Sequence, residues 1–212
     1  MKLYGHPMST CTRKVLTVLA EKGHKADFVT LDFMKGEHKA PDHLTRQPFG
    51  VVPALDDGGF VLYESRAICR YLDEVLPGDK LTPSSAKDRA MMEQWISVEY
   101  SYFSNHAMKI VGETLLAQMY GRPSDEAVLK AGREGILKAC DVLDKHFSGG
   151  SDYLVGSQFT IADICYLPYI EYLFVAKNAD MITDRKHLAA WWARASERKS
   201  WRIASGKDQP AA

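Results

Sequence analysis

The sequence predicts two domains of different class, a small α/β unit followed by an all-helical one. Three observations lead there. Residues 1 to about 76 alternate strand-like and helix-like patterns. A stretch rich in Pro and Gly, Leu76 to Pro83, then interrupts the pattern. Beyond it no strand alternation appears. The expected domains are therefore residues 1–76 and 84–212.

In the first domain, Met1 to Tyr4 reads as a short apolar strand. Val15, Leu16, Leu19 and Ala20 recur at helical spacing, and Val29, Leu31 and Phe33 alternate as in a strand. Ala54-Leu55 and Phe60 to Tyr63 flank Asp56-Asp57-Gly58-Gly59, a hairpin signal. Ile68, Tyr71, Leu72 and Val75 form one helical face. The order β-α-β, then β-β-α, implies a small mixed sheet with helices, as in thioredoxin-like domains.

In the second domain, Met91, Trp95, Val98 and Tyr102 make one helical stripe. Leu129, Ile136, Cys140, Leu143 and Phe147 make another. Thr160-Ile161-Ala162-Asp163 resembles a capping box with Asp in the usual Glu place, and Phe159 with Ile164 forms its expected hydrophobic staple. Pro168 falls inside the helix so started and should bend it. Ser205 to Ala212 read as a frayed tail.

Composition removes several function classes. Lys+Arg and Asp+Glu are equal at 27 each, so no net field draws in nucleic acid or an anionic membrane. The most apolar late stretch, Leu167 to Ala176, is too short to span a bilayer and contains Glu171. Met1-Lys2-Leu3-Tyr4 begins a strand directly, leaving no room for a signal peptide in this reading. Four dispersed cysteines without a CxxC pair suit reduced thiols, hence a cytoplasmic protein. The seven histidines show no spacing that suits a metal.

Two helix starts carry the chemistry. Met8-Ser9-Thr10-Cys11 opens one and Glu64-Ser65-Arg66 another, with Val51-Val52-Pro53 between them in sequence. A helix N-terminus exposes unpaired N–H groups and a positive dipole end, which favours anions. By local sequence alone, a plain N-cap is the better reading of both Ser9 and Ser65. His38 and Lys39 alone are ordinary solvated cations. Cys11, in the first turn after Ser9, is a rival as a low-pKa redox thiol. A small thiol facing the helix packing side is its commoner fate.

Taken together, the segments SxxTRKV, GEHK, PFGVVPAL, DDGG and ESRAI resemble the N-terminal domain of glutathione transferases, leaning to the phi class and to its bacterial type. Tyr153-Leu154-Val155-Gly156, Phe159 to Asp163, Trp191-Trp192 and Arg198 to Trp201 are similar to that family's second domain. The resemblance spans roughly residues 1–203 and implies the glutathione transferase fold. It implies glutathione as co-substrate, with Ser9 donating a hydrogen bond to its thiolate. Thr12 and Tyr4 are candidate supporting donors. His38 and Lys39 then reach the glycine carboxylate. Val52, before a cis Pro53, pairs its backbone with the cysteinyl part. Ser65 takes the γ-glutamyl carboxylate and Glu64 lies near the α-amino group. Met8, Phe33, Met34, Phe103 and Ile110 become candidates for an apolar second-substrate pocket.

The implied activity is conjugation of glutathione to a hydrophobic electrophile, or reduction of an organic hydroperoxide, by a homodimer without a metal. Arg66 belongs either to the dimer interface or to a salt bridge. Two other readings stay open. One is a zeta-like glutathione-dependent isomerase, since Ser-Thr-Cys resembles that class's Ser-Ser-Cys. The other is a non-catalytic binding protein of the same fold. Val51 departs from the family, which often has Gln or Lys there; a side-chain contact to the peptide is expected to be missing.

Overall fold

The computed structural model describes residues 1–208. It separates into two compact units, one joining Met1–Thr82 to the chain from Glu197 onward, the other Pro83–Ser196. The expected division gave the whole second half to the helical domain; the structure returns the last helix, Lys199–Ser205, to the first unit. Side-chain chemistry explains this. Glu21 takes the Arg198 guanidinium through two bonds of 2.8 and 2.9 Å and also accepts the Ser200 hydroxyl.

The first unit runs β1 (Lys2–Gly5), α1 (Thr10–Glu21), β2 (Asp27–Thr30), α2 (Pro41–Leu44), β3 (Ala54–Asp57), β4 (Phe60–Tyr63) and α3 (Ser65–Val75). The sheet order is β2-β1-β3-β4, with β1 and β2 parallel and the other pairs antiparallel. Leu3 faces Leu55 across β1 and β3, and both are fully buried. The apolar faces of α1 (Val15, Val18, Leu19) and α3 (Ile68, Leu72) pack together, which their helical spacing requires. The hairpin turns at Gly58 and Gly59, both at positive φ (62° and 98°), a conformation that glycine adopts without a Cβ penalty.

Two local expectations shift. The second strand ends at Thr30, so Phe33 sits in a turn. Asp32 accepts the N–H groups of Met34 and Lys35 (2.8 and 3.2 Å), and Glu37 accepts that of Asp32 (2.7 Å). These side chains offer the backbone an alternative to the ladder. The Pro/Gly linker is also tied down. Asp73 accepts the N–H groups of Leu81 and Thr82, both at 2.9 Å, and pairs with buried Lys22 at 2.6 Å. Of the expected tail, Ser205 closes the last helix, and Arg202 holds Asp208 at 2.7 Å. Residues 209–212 lie outside the described residues.

The second unit contains α4 (Ala86–Val98), α5 (Asn105–Val111), α6 (Ala117–Met119), α7 (Glu126–Phe147), α8 (Ile161–Val175), α9 (Asp180–Thr183) and α10 (Lys186–Ala195). Wider π-helical turns, Glu99–Ser104 and Gly112–Leu116, join α4, α5 and α6. The buried line on α4 and its extension is Met92, Trp95, Ile96, Glu99 and Phe103. Met91 and Tyr102, assigned to that stripe from sequence, are exposed. Glu99 caused the offset, because a hydrophobic pattern skips a buried carboxylate. The α7 stripe holds, with Ile136, Cys140, Leu143 and Phe147 buried and Leu129 half-buried. Helix α8 is apolar on nearly every side and includes Pro168. Its capping box is present, and buried Asp163 also accepts Leu154 N–H (3.0 Å) and Trp191 Nε1–H (2.9 Å). Among the described residues, no helix is long and apolar enough to cross a membrane.

Candidate functional site

Strand register gathers the predicted residues at one end of the sheet. Tyr4 pairs with Ala54, and Ala54 pairs with Tyr63. The three residues therefore form a row across β1, β3 and β4. From that row the chain leaves toward Ser9, arrives from Val52-Pro53, and leaves toward Glu64-Ser65.

Ser9 is the N-cap of α1, with extended backbone, and its Oγ accepts Thr12 N–H at 3.3 Å. A hydroxyl has two acceptor sites and one hydrogen. The cap uses an acceptor site only, so the Ser9 hydrogen stays available for an anion. Thr12 is fully buried and its hydroxyl accepts His6 N–H at 3.4 Å, which fixes the turn before the helix. Tyr4 is half-buried with the Arg46 guanidinium 4.4 Å above its ring. Cys11, expected to pack inward, is only half-buried. Position 12 takes the inward place instead.

The start of α3 is built differently. Glu64 holds φ = 71°, ψ = 108°, rare for a residue with a side chain. Ser65 is 2% exposed, and its Oγ is buried without a hydrogen-bond partner. Buried polar atoms are normally paired, so this one calls for an explanation. Its hydroxyl stands at the N-terminus of an eleven-residue helix, where a carboxylate is favoured.

The Val52-Pro53 peptide is cis. Both residues are buried, whereas the side chain of Val51 is 47% exposed. Sequence reasoning missed what holds this segment. His43 on α2 is 2% exposed and its Nε2 lies 2.7 Å from Val51 O. Buried Gln47 accepts Phe49 N–H at 2.7 Å and Val51 N–H at 3.5 Å. A buried His or Gln in a polar run leaves no periodic signal.

His38 and Lys39 share a one-turn 3₁₀ segment, Glu37–Lys39. Phe33 stands edge-on to His38 (centroids 4.9 Å apart) and stacks on His6 (4.6 Å), which sets this loop beside the turn leading to Ser9. Burial, then the charges of Lys39 and His43, push the His38 pKa below its ordinary value. The Lys39 ammonium donates to Phe49 O at 3.1 Å. Gly50, at φ = 61°, permits this approach; a Cβ there would stand 2.7 Å from Lys39 Cδ.

Of the apolar candidates, Met8 and Met34 are exposed and Phe33 is half-buried. Met8 borders a cavity of about 320 Å³ with Leu16, Phe28 and Ile203. Phe103 and Ile110 are fully buried in the structure. Phe103 stands edge-on to Tyr166 at 5.1 Å, so both it and Ile110 serve the packing of the helices and offer no surface to a ligand. A larger cavity, about 570 Å³, is lined by Ala20, His24, Arg198 and Ile203, none of them a predicted site residue. Among the described residues, no group of three or more His, Cys, Asp or Glu side chains is placed to hold a metal ion.

Comparison with known proteins gives a consistent result. Residues 1–74 match the family model for the glutathione S-transferase N-terminal domain, and residues 103–199 that for the C-terminal domain. Glutathione S-transferase F9 of Arabidopsis thaliana is 38% identical over 205 residues, covering 95% of this chain and 94% of the relative. The crystal structure of glutathione transferase F7 from Populus trichocarpa superposes with a TM-score of 0.91 at 33% identity, covering 99% of both chains. Glutathione S-transferase I from maize, solved with an atrazine glutathione conjugate, gives a TM-score of 0.89 at 33% identity, covering 100% of this chain and 99% of that one. These relatives are plant proteins, so the expected bacterial type finds no support in them.

Proposed function

This chain belongs to the glutathione S-transferase family, phi-class-like, and we propose that it conjugates glutathione to hydrophobic electrophiles with Ser9 as the thiolate-stabilising residue. The observation that supports this reading best is the row Tyr4–Ala54–Tyr63, from which the Ser9 cap, the Val52-Pro53 turn and the unpartnered Ser65 hydroxyl all depart.

A free thiol has a pKa near 8.5, so little is thiolate at neutral pH. Lowering it by about two units requires roughly 2.7 kcal/mol of preferential thiolate stabilisation. Ser9 donates its hydroxyl hydrogen to the sulfur while its oxygen keeps the Thr12 N–H, and the start of α1 adds its dipole. Serine acts here as a donor and not as a nucleophile. Ser65 takes the γ-glutamyl carboxylate, with Glu64 near the α-amino group. Val52 pairs with the cysteinyl part through its backbone, as an added strand does. His38 and Lys39 face the glycine carboxylate. Met8, Phe33 and Met34 remain as the apolar surface for the electrophile. Peroxide reduction by the same thiolate, a homodimer and a cytoplasmic location belong to the same proposal.

Ser9→Ala tests it. The variant should bind glutathione but lose most conjugation, and the thiol pKa of bound glutathione, followed by ultraviolet absorbance against pH, should rise. Full activity in Ser9→Ala together with a dead Cys11→Ala would replace this reading with thiol exchange at Cys11.

A further inference from the structure

We propose that His43 is a positioning residue of the glutathione site, aiming and polarising the Val52 N–H; the proposal rests on the glutathione reading above. The argument starts from one peptide unit. His43 Nε2 lies 2.7 Å from Val51 O. That oxygen and the Val52 N–H belong to the same trans peptide, so they point in opposite directions. Holding the oxygen from the protein side turns the N–H outward, to the side where Val52 would meet a peptide ligand.

The contact also fixes the chemistry of the ring. A carbonyl only accepts, so Nε2 must carry a hydrogen. Nδ1 is buried without a partner, and a second proton there would be a buried donor with nothing to bond. The neutral Nε2–H tautomer follows. A donor on the carbonyl oxygen strengthens the N–H of the same amide, since bonded groups polarise one another.

Gln47 completes the arrangement. Its Oε1 accepts Phe49 N–H and Val51 N–H. His43 thus takes the acceptor and Gln47 the donors of the segment entering Val52. Both side chains are almost fully buried, at 2% and 1% exposure. Neither is placed to touch a ligand, so both act through the backbone.

The test combines kinetics with a truncated ligand. His43→Phe keeps a planar ring and removes the donor. Because the Val52 contact is made in ground and transition states alike, KM for glutathione should rise about fivefold or more, with kcat within about twofold of wild type. His43→Gln restores an N–H donor and should recover part of the loss. The C-terminal amide of γ-glutamylcysteine keeps the cysteinyl carbonyl as a neutral amide and lacks the glycine carboxylate. The His43→Phe penalty should persist with it, whereas the penalty of Lys39→Ala should disappear. The imidazole ¹⁵N spectrum of the ligand-free wild type should show the Nε2–H tautomer. An unchanged KM in folded His43→Phe, or a proton on Nδ1 in place of Nε2, overturns this proposal alone. Failure of the wild type to bind glutathione overturns the proposed function with it.

Discussion

Helices α3 and α8 each carry a buried hydroxyl residue at the start, Ser65 as the first helical residue and Thr160 as the N-cap, and teach opposite lessons. At α8, Thr160 and Asp163 form a closed set: Asp163 accepts Thr160 N–H (2.9 Å), the Thr160 hydroxyl (3.0 Å), Leu154 N–H and Trp191 Nε1–H. Burial pushes the Asp163 carboxyl up, against four donors that pull it down. At α3, Glu64 sits at positive φ and the Ser65 hydroxyl is buried with no partner. The saturated start has nothing left to offer a ligand and serves stability. The unsaturated one carries a strained backbone at Glu64 and leaves the same end of the sheet as Ser9 and Pro53. An orphaned atom alone is not enough for this inference, since Trp95 Nε1 and His146 Nε2 are also buried without partners among the helices. The coincidence of orphan, strain and helix N-terminus separates Ser65 from them.

The sharpest way to break this comparison is to exchange the consequences. Asp163→Ala strands three buried N–H donors and should lower unfolding free energy by about 3–5 kcal/mol, read from urea denaturation. Activity per folded molecule should stay near wild type. A large loss of activity at preserved stability would show that the α8 cap has a functional role after all.

Ser65→Ala should do the reverse. Deleting a hydroxyl that has no protein partner costs little or nothing in stability. Glutathione affinity should fall roughly tenfold or more, because a hydrogen bond to a charged carboxylate is worth about 1.5–3 kcal/mol. Titration calorimetry and thermal melting of the same variant decide it. A lowered melting temperature with unchanged affinity would make Ser65 an ordinary cap.

Much of this was legible in the sequence, and the pattern of misses is physical. Strands, the Asp-Gly hairpin, the α7 stripe and the capping box follow from side-chain period and turn chemistry, which are local. Ser9 and Ser65 were visible as helix starts, but only the resemblance to a family could rank them above plain caps. What escaped depends on contacts between distant residues. His43 and Gln47 read as polar loop residues until the chain folds them under Val51. Phe103 and Ile110 looked like pocket material because an apolar residue on a helix carries no mark of which neighbour will cover it. Glu99 hid the register of α4 because burial of a carboxylate contradicts the pattern used to find the core. The placement of the last helix with the first unit rests on Glu21, Arg198 and Ser200, residues separated by most of the chain.

The smallest expected effect sharpens the comparison at a third point, where neither saturation nor strain is involved. Val51 carries a 47% exposed side chain beside the Val52 backbone. Its own N–H and C=O are already committed to Gln47 and His43. The valine side chain offers no polar contact, and at this exposure a longer side chain has room to extend into solvent. Val51→Gln adds a donor and an acceptor at the rim of the site. A hydrogen bond there contributes about 1 kcal/mol, so KM for glutathione should fall severalfold while kcat changes little, the signature of added uniform binding. The melting temperature should stay within a degree or two of wild type, since exposed substitutions usually shift stability by less than about 0.5 kcal/mol. A higher KM would mean that the valine methyl groups themselves contact the peptide, and that an apolar rim is the form of glutathione recognition this chain uses at position 51.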